Sequence, residues 1–164
     1  MALVASQYVI IAAAALAAVL LAGAYMAGYL PLAFWAPKVH VSANVTKVVY
    51  YPGAGVLYVD SYVASASNVE VCIDGVVIVD LNTGYEAVVG SQQSVTDNLP
   101  VCLGPDSAFH LALSYLTGGA APLNAGDEVE VKFYYSLGGP SAFDPSSPRY
   151  AVSYATLAVS APSP

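Results

Sequence analysis

The chain has 164 residues, which is enough for one ordinary domain or for a small domain with an appendage. Apolar residues make up 57% of it and charged residues only 9%, whereas about 25% of a typical soluble domain is charged. We therefore expect part of the apolar surface to face lipid or other protein chains. The net charge is −7 and only four residues are basic, which excludes nucleic acid as a partner because phosphates are neutralised by a basic stripe.

The charges are confined to one part of the chain. Residues 1–37 contain no Asp, Glu, Lys or Arg, and Lys38 is the first charged residue. The sequence therefore predicts a hydrophobic assembly helix at residues 1–30, a hinge at residues 31–38 and a separate domain at residues 39–164. Pro31 and Pro37 are the predicted hinge residues, because proline ends or kinks a helix.

The N-terminal segment is rich in Ala and Leu, which are strong helix formers. As one helix, residues 2–30 would be about 43 Å long at 1.5 Å per residue, which exceeds the roughly 30 Å hydrocarbon core of a bilayer. A helix that is apolar all round must also be buried all round. Three interpretations meet this condition: a secretory signal peptide, a membrane anchor, and a helix packed among copies of itself.

The flanks and the small residues of this segment favour the third interpretation. No basic region precedes the apolar run, as a signal peptide requires, and no Lys or Arg is present to orient a simple anchor. Ala14, Ala18 and Ala22 recur at four-residue spacing, which lets helix backbones approach closely. We therefore predict a filament-core helix that lies in the membrane before assembly. Its predicted packing residues are Val4, Tyr8, Ile11, Ala14, Ala15, Ala18, Leu21, Ala22 and Tyr25.

After Pro37 the hydrophobic period changes to two, and Gly and Pro separate the apolar runs. Short alternating runs rich in Val and Tyr predict an immunoglobulin-like β-sandwich of about seven strands. With the N-terminal helix, the predicted fold class is α+β. The predicted strands are Val39–Tyr51, Val56–Ala64, Val69–Asp80, Ala108–Leu116, Glu128–Leu137 and Tyr150–Ser160, with a weaker one at Tyr85–Val89.

An uncharged N-terminal helix of this length followed by a β-sandwich resembles the archaeal type IV pilins and the related archaellins. The segment Ala125–Val131 is also similar to a Gly-Asp turn and strand common in that family. Ala5 stands near the position where bacterial pilins carry Glu, which favours the archaeal branch. The resemblance implies the major subunit of an extracellular pilus for adhesion or biofilm, with itself, the membrane and the pilus assembly machinery as partners. The alternatives are an archaellin-like motility filament subunit and a membrane-anchored cell-surface β-sandwich binding protein.

Two other features concern the exported domain. Cys72 and Cys102 have no metal-site spacing, and two cysteines in an extracellular β-domain most often form one disulfide, the alternative being two buried thiols. The segment Asn44-Val45-Thr46 is a glycosylation sequon, so Asn44 is a candidate modification site.

The sequence contains no recognisable catalytic constellation, so we predict neither enzymatic activity nor a cofactor. His40 and His110 each alternate with apolar neighbours, which is typical of structural histidines. A type 1 copper site would need two His, a Cys and usually a Met, and no Met follows Cys102. Asp127, Glu128 and Glu130 offer oxygen ligands for calcium. However, Glu128 and Glu130 alternate with Val129 and Val131, which is the pattern of a solvated strand face.

Overall fold

The computed structural model describes residues 15–20, 37–90 and 99–160. The chain divides into two compact units, residues 1–36 and residues 37–164. Within the described part of the second unit there are eight β-strands. They are β1 Val41–Tyr51, β2 Val56–Ser65, β3 Val71–Asp80, β4 Glu86–Val89, β5 Val101–Leu103, β6 Ser107–Leu116, β7 Glu128–Leu137 and β8 Tyr150–Val159.

The predicted α+β class is wrong, because the described residues are almost all in strands or in the turns between them. Residues 15–20 are helical, and no helix in the described ranges has the length and apolarity that a bilayer crossing requires. Helix propensity is a weak prior, and most helix stability in proteins comes from tertiary packing. Residues 15–20 are all exposed, so packing within this chain contributes little to them.

The strands form one curled sheet in the order β4-β3-β7-β8-β1-β2-β6, with β5 pairing to β3 off this path. All pairings are antiparallel except that of β1 with β8, which is parallel and covers only three residue pairs, from Val48–Leu157 to Tyr50–Val159. Strand β8 therefore connects a first half of the sheet (β1, β2, β6) to a second half (β3, β4, β5, β7). The sandwich-like prediction fits this sheet only in part.

One hydrophobic core lies between the two halves. Val48, Leu57 and Leu113 from the first half and Val131 and Phe133 from the second belong to the same buried cluster. Alternation explains much of this arrangement, because successive side chains of a strand point to opposite faces. Strand β3 differs, since its side chains are buried on both faces.

Two bulges interrupt the ladders. The register of β1 against β2 shifts at Thr46, and that of β3 against β7 shifts at Asp74. A bulge leaves one residue without a cross-strand partner and re-aims its side chain. The side chains of Thr46 and Asp74 both make hydrogen bonds in addition to the backbone hydrogen bonds of the sheet.

Candidate functional site

The predicted disulfide between Cys72 and Cys102 is confirmed. The two residues lie opposite each other in the β3–β5 pairing, with their α carbons 3.9 Å apart. Cys72 is buried and Cys102 is exposed. The carboxylate of Glu70 lies 3.8 Å from the Cys72 sulfur, but the bonded sulfurs carry no thiolate with which to hold a metal. The bond attaches the three-residue strand β5 to the sheet.

The sequon lies at the bulge of β1. Asn44 is exposed and lies opposite Tyr62 of β2. The hydroxyl of Thr46 donates a hydrogen bond to the carbonyl of Asp60 at 3.0 Å. The asparagine side chain is therefore open to solvent, and glycosylation of Asn44 stays a prediction.

The two histidines are not brought together. His110 on β6 hydrogen-bonds the carboxylate of Asp60 on β2, and its ring lies 4.9 Å from that of Tyr62. His40 is exposed, and its backbone carbonyl accepts a hydrogen bond from the amide of Ala66. Within the described ranges, the one cluster of three potential metal ligands comprises Glu70 and the disulfide cysteines, without a histidine. The arrangement of a type 1 copper site is not present there.

The three carboxylates of the Asp127 segment do not converge. Asp127 accepts hydrogen bonds from the backbone amide and the side-chain amide of Asn124, at 3.0 and 3.2 Å, which closes the turn before β7. Glu128 is exposed, and its backbone amide donates to Asn82. Glu130 is engaged with neighbouring side chains on β7 and β8. Within the described ranges, these three carboxylates do not form a group of potential metal ligands.

A polar cleft of about 230 Å³ lies beside the connection between β7 and β8. Asp74, the bulged residue of β3, is buried, and its carboxylate accepts hydrogen bonds from the amide and hydroxyl of Ser141 at 3.0 and 3.3 Å. Phe143 from the same connection packs against Gly75. Asp144 accepts hydrogen bonds from the hydroxyl and amide of Ser146, which lower the pKa of Asp144. The contacts of Ser141 and Phe143 fix the connection to β3, and the two oxygens of Asp74 already have partners.

The outer face of β8 carries a row of exposed apolar side chains that we call the tyrosine row: Tyr150, Val152 and Tyr154. Their exposed fractions are 45%, 36% and 53%. They alternate along the strand, so all three point to the same face. Strand β8 pairs with β1 through residues 157–159, and the amide of Val45 on β1 donates a hydrogen bond to the Ser153 hydroxyl at 3.0 Å.

Side chains of β7 hold both rings of the tyrosine row in place. The Tyr154 hydroxyl donates to Glu130 Oε2 at 2.9 Å, and Lys132 Nζ lies 2.8 Å from Glu130 Oε1. The Tyr150 ring lies 5.3 Å from the ring of Tyr134, and Lys132 Nζ is 5.8 Å from the Tyr150 ring centre.

The ionisable side chains of this group perturb one another. The hydrogen bond from Lys132 lowers the pKa of Glu130, and the same bond raises the pKa of Lys132. The hydrogen bond to Glu130 raises the pKa of Tyr154. At neutral pH the group is therefore an ion pair with a neutral tyrosine beside it.

Sequence reasoning missed the tyrosine row. A signal was present, since the segment from Tyr150 to Val159 is apolar on both strand faces, whereas a strand with one solvated face alternates apolar and polar residues. A second apolar face on such a strand indicates contact with something beyond the domain core.

Of the predicted filament-core residues, Ala15 and Ala18 are described. They lie in the helical stretch 15–20, where all six residues are apolar and exposed, and Leu16, Val19 and Leu20 are each more than half exposed. Pro37 is exposed at the start of the second unit. The remaining predicted packing and hinge residues lie outside the described ranges. They are Val4, Tyr8, Ile11, Ala14, Leu21, Ala22, Tyr25 and Pro31.

Comparison with known proteins gives no family and no curated relative: no family model matches the chain, and neither does any curated protein. Among solved structures, the ligand binding region of serine-glutamate repeat protein A of Enterococcus faecium aligns at a TM-score of 0.32 and 13% identity, covering 75% of this chain and 99% of that one. An exo-β-N-acetylglucosaminidase of Vibrio harveyi aligns at 0.26 and 11% identity, covering 75% of this chain and 18% of the enzyme. At TM-scores this low, neither likeness carries an argument about function.

Proposed function

We propose that the chain is a structural subunit of an extracellular pilus-like filament that assembles through its uncharged N-terminal segment and functions in adhesion or biofilm formation. The observation that carries the proposal is the charge boundary. Residues 1–37 have no charged side chain, and Lys38 is the second residue of the second compact unit. An apolar segment of that length is most stable in an apolar environment. The buried core of the β-domain is formed by residues of the β-domain itself.

The described helical residues support this proposal. Six consecutive helical residues turn through more than a full circle, so their side chains cover every side of the helix. All six are apolar and exposed in the single chain. Copies of the same segment, packed closely through small residues such as Ala15 and Ala18, would cover all of these sides at once.

The β-domain supports an extracellular location. Disulfides persist in oxidising compartments and are rare in the cytosol, and the bond between Cys72 and Cys102 is formed. The net charge of −7 lies on residues after position 37, which favours a solvated domain on the outside of an assembly. The proposed partners are other copies of the chain, with the membrane and an assembly machinery before polymerisation.

Electron microscopy of sheared cell-surface material tests the proposal, with wild type and two lysine variants produced in the native host. We expect Ala18→Lys to abolish filaments, because a charge buried without a partner costs several kcal/mol. Ala54→Lys is the matched control, since Ala54 is exposed in the turn after β1 and the added charge is the same. Normal filaments from Ala18→Lys, or a wild-type protein found only as a detergent-soluble monomer, would contradict the proposal. The second result would favour a membrane-anchored surface protein.

A further inference from the structure

The tyrosine row is an exposed apolar feature that the proposed filament contact does not use. It belongs to the β-domain, whereas the proposed assembly contact lies in the N-terminal segment. Tyr150, Val152 and Tyr154 expose from about a third to about half of their surfaces. Single exposed apolar residues are common on ordinary protein surfaces. A contiguous exposed apolar patch, in contrast, often marks a binding surface.

The row is also organised before any ligand binds. Tyr154 is fixed by its hydrogen bond to Glu130, and Tyr150 is fixed against Tyr134. Immobilising free side chains on binding costs about 0.5–1.5 kcal/mol for each one. Two rings that are already held avoid most of this cost, so they can bind a ligand that offers only modest contacts.

The chemistry of the row matches that of a sugar polymer. A tyrosine ring has an apolar face and a polar hydroxyl, and a pyranose ring has an apolar face of C–H groups and a rim of hydroxyls. Tyr150 and Tyr154 lie about 13 Å apart along the strand at about 3.3 Å per residue, which spans several linked sugar rings. Glu130 and Lys132 lie beside this row and offer an acceptor and a donor for sugar hydroxyls.

The charges of the surface favour an uncharged ligand. Lys132 and Glu130 neutralise each other, and Glu128 on the same strand face is exposed and acidic. The whole chain carries a net charge of −7. Anionic polymers are therefore repelled, while a neutral polysaccharide has no charge to oppose.

The size of the row favours a narrow ligand over a folded protein. A stable protein interface buries about 800 Å² on each partner and involves roughly 20–30 residues a side. The tyrosine row has three side chains on one strand, flanked by an ion pair. A linear chain lying along β8 can contact all of it.

We infer that the tyrosine row binds an external neutral polysaccharide, with Tyr150 and Tyr154 stacking on sugar rings and Glu130 and Lys132 hydrogen-bonding their hydroxyls. The inference does not depend on filament formation, because it concerns only described residues of the β-domain. In a filament it would provide the adhesive function, since each subunit would add one site.

A pull-down of the full-length chain in mild detergent tests the inference, with microcrystalline cellulose and chitin as neutral probes and carboxymethyl cellulose as the anionic one. We expect retention on at least one neutral probe, little on the anionic one, and displacement by soluble oligosaccharides of the same linkage. Tyr150→Ala and Tyr154→Ala should each weaken binding about tenfold. Tyr62→Ala is the matched control, because Tyr62 is similarly exposed but lies on β2, and it should bind like wild type.

Three results would overturn the inference: no retention of wild type on cellulose or chitin, equal binding by both row variants and wild type, or equal losses in Tyr62→Ala. Near-ultraviolet circular dichroism of each variant separates lost binding from lost folding. Sedimentation of the same proteins measures their self-association. If the row variants instead reduce self-association while no polysaccharide binds, the surface is a contact between copies and the inference is wrong. Filaments from the row variants should remain normal, so its failure is distinguishable from failure of the filament proposal.

Discussion

Phe143 lies directly over the backbone of Gly75. A Cβ added at Gly75 would lie 2.3 Å from a carbon of the Phe143 ring, closer than packed atoms approach. Gly75 directly follows the bulged residue Asp74, whose carboxylate accepts hydrogen bonds from Ser141. Two adjacent residues of β3 thus hold two points of the connection between β7 and β8, and this connection leads directly into Tyr150.

The first prediction concerns this contact. Gly75→Ala should lower the free energy of unfolding by about 1–3 kcal/mol, because the added methyl group forces the ring or the backbone to move. Urea unfolding followed by circular dichroism measures the change. Gly53→Ala is the matched control, since a Cβ at Gly53 would meet no atom within 4 Å. We expect less than about 0.5 kcal/mol of change in the control.

A double-mutant cycle isolates the ring as the cause. Phe143→Ala alone removes packing and should itself destabilise the domain. In the double variant the alanine at position 75 no longer meets the ring, so its added cost should fall below that in the wild-type background. If the losses of unfolding free energy in the two single variants add up to the loss in the double variant, the Phe143 ring is not the reason for glycine at position 75.

Much of the β-domain could be predicted from the sequence, because strand alternation and turn residues are local signals. The predicted strands overlap observed strands, including the weak one at Tyr85–Val89. Strand β5 was missed because three residues, Val101–Leu103, are too few to show a period. A cross-strand disulfide attaches it to the sheet, and no local propensity marks it.

The tyrosine row and the Gly75–Phe143 contact could not be predicted in the same way. Both depend on register: Tyr154 reaches Glu130 because the two residues are paired in the β7–β8 ladder. Phe143 and Gly75 are far apart in the sequence, so a local sequence pattern cannot predict their contact. Of the predicted N-terminal helix, residues 15–20 are described and are helical, and the rest of that prediction lies outside the described residues.

The second prediction concerns the disulfide. Replacing Cys72 and Cys102 together by Ser should lower the free energy of unfolding by about 3–4 kcal/mol, because the bond closes a loop of 30 residues in the unfolded chain. Thermal unfolding with and without a reducing agent measures this. The reductant should lower the midpoint of wild type and leave the double variant unchanged. Equal stability of wild type and variant would contradict the prediction.

The third prediction concerns pH. The pKa of Glu130 is lowered in the folded chain by its hydrogen bond from Lys132. Its contribution to stability is therefore complete above the unfolded pKa of about 4.3 and is lost as the pH falls through the lower folded value. The pKa of Lys132 is raised, so its contribution is complete below about 10.4 and is lost as the pH rises through the folded value.

Urea unfolding of wild type and of Glu130→Gln at about pH 3, 7 and 11 measures the acidic and the basic loss of stability. At neutral pH the variant should be less stable by at most about 1 kcal/mol, because the pair lies near the surface. The difference should shrink at both extremes, because the contribution of the pair declines as the pH falls below the unfolded pKa of Glu130 or rises above that of Lys132. A constant difference at all three pH values would show that the pair contributes no pH-dependent stability.

The fourth prediction concerns Asn44. If the exposed sequon is modified in the native host, the intact mass should exceed the polypeptide mass by a glycan that Asn44→Gln removes. Thr46→Ala should remove it as well, and it should also cost about 1 kcal/mol, because Thr46 donates a hydrogen bond to the Asp60 carbonyl. Thr46→Ser is the matched control, since serine keeps both the sequon and the hydroxyl. If Asn44→Gln changes the native mass only by the added methylene group, the sequon is unoccupied. A stability loss shared by Thr46→Ala and Thr46→Ser would exclude the hydroxyl as its cause.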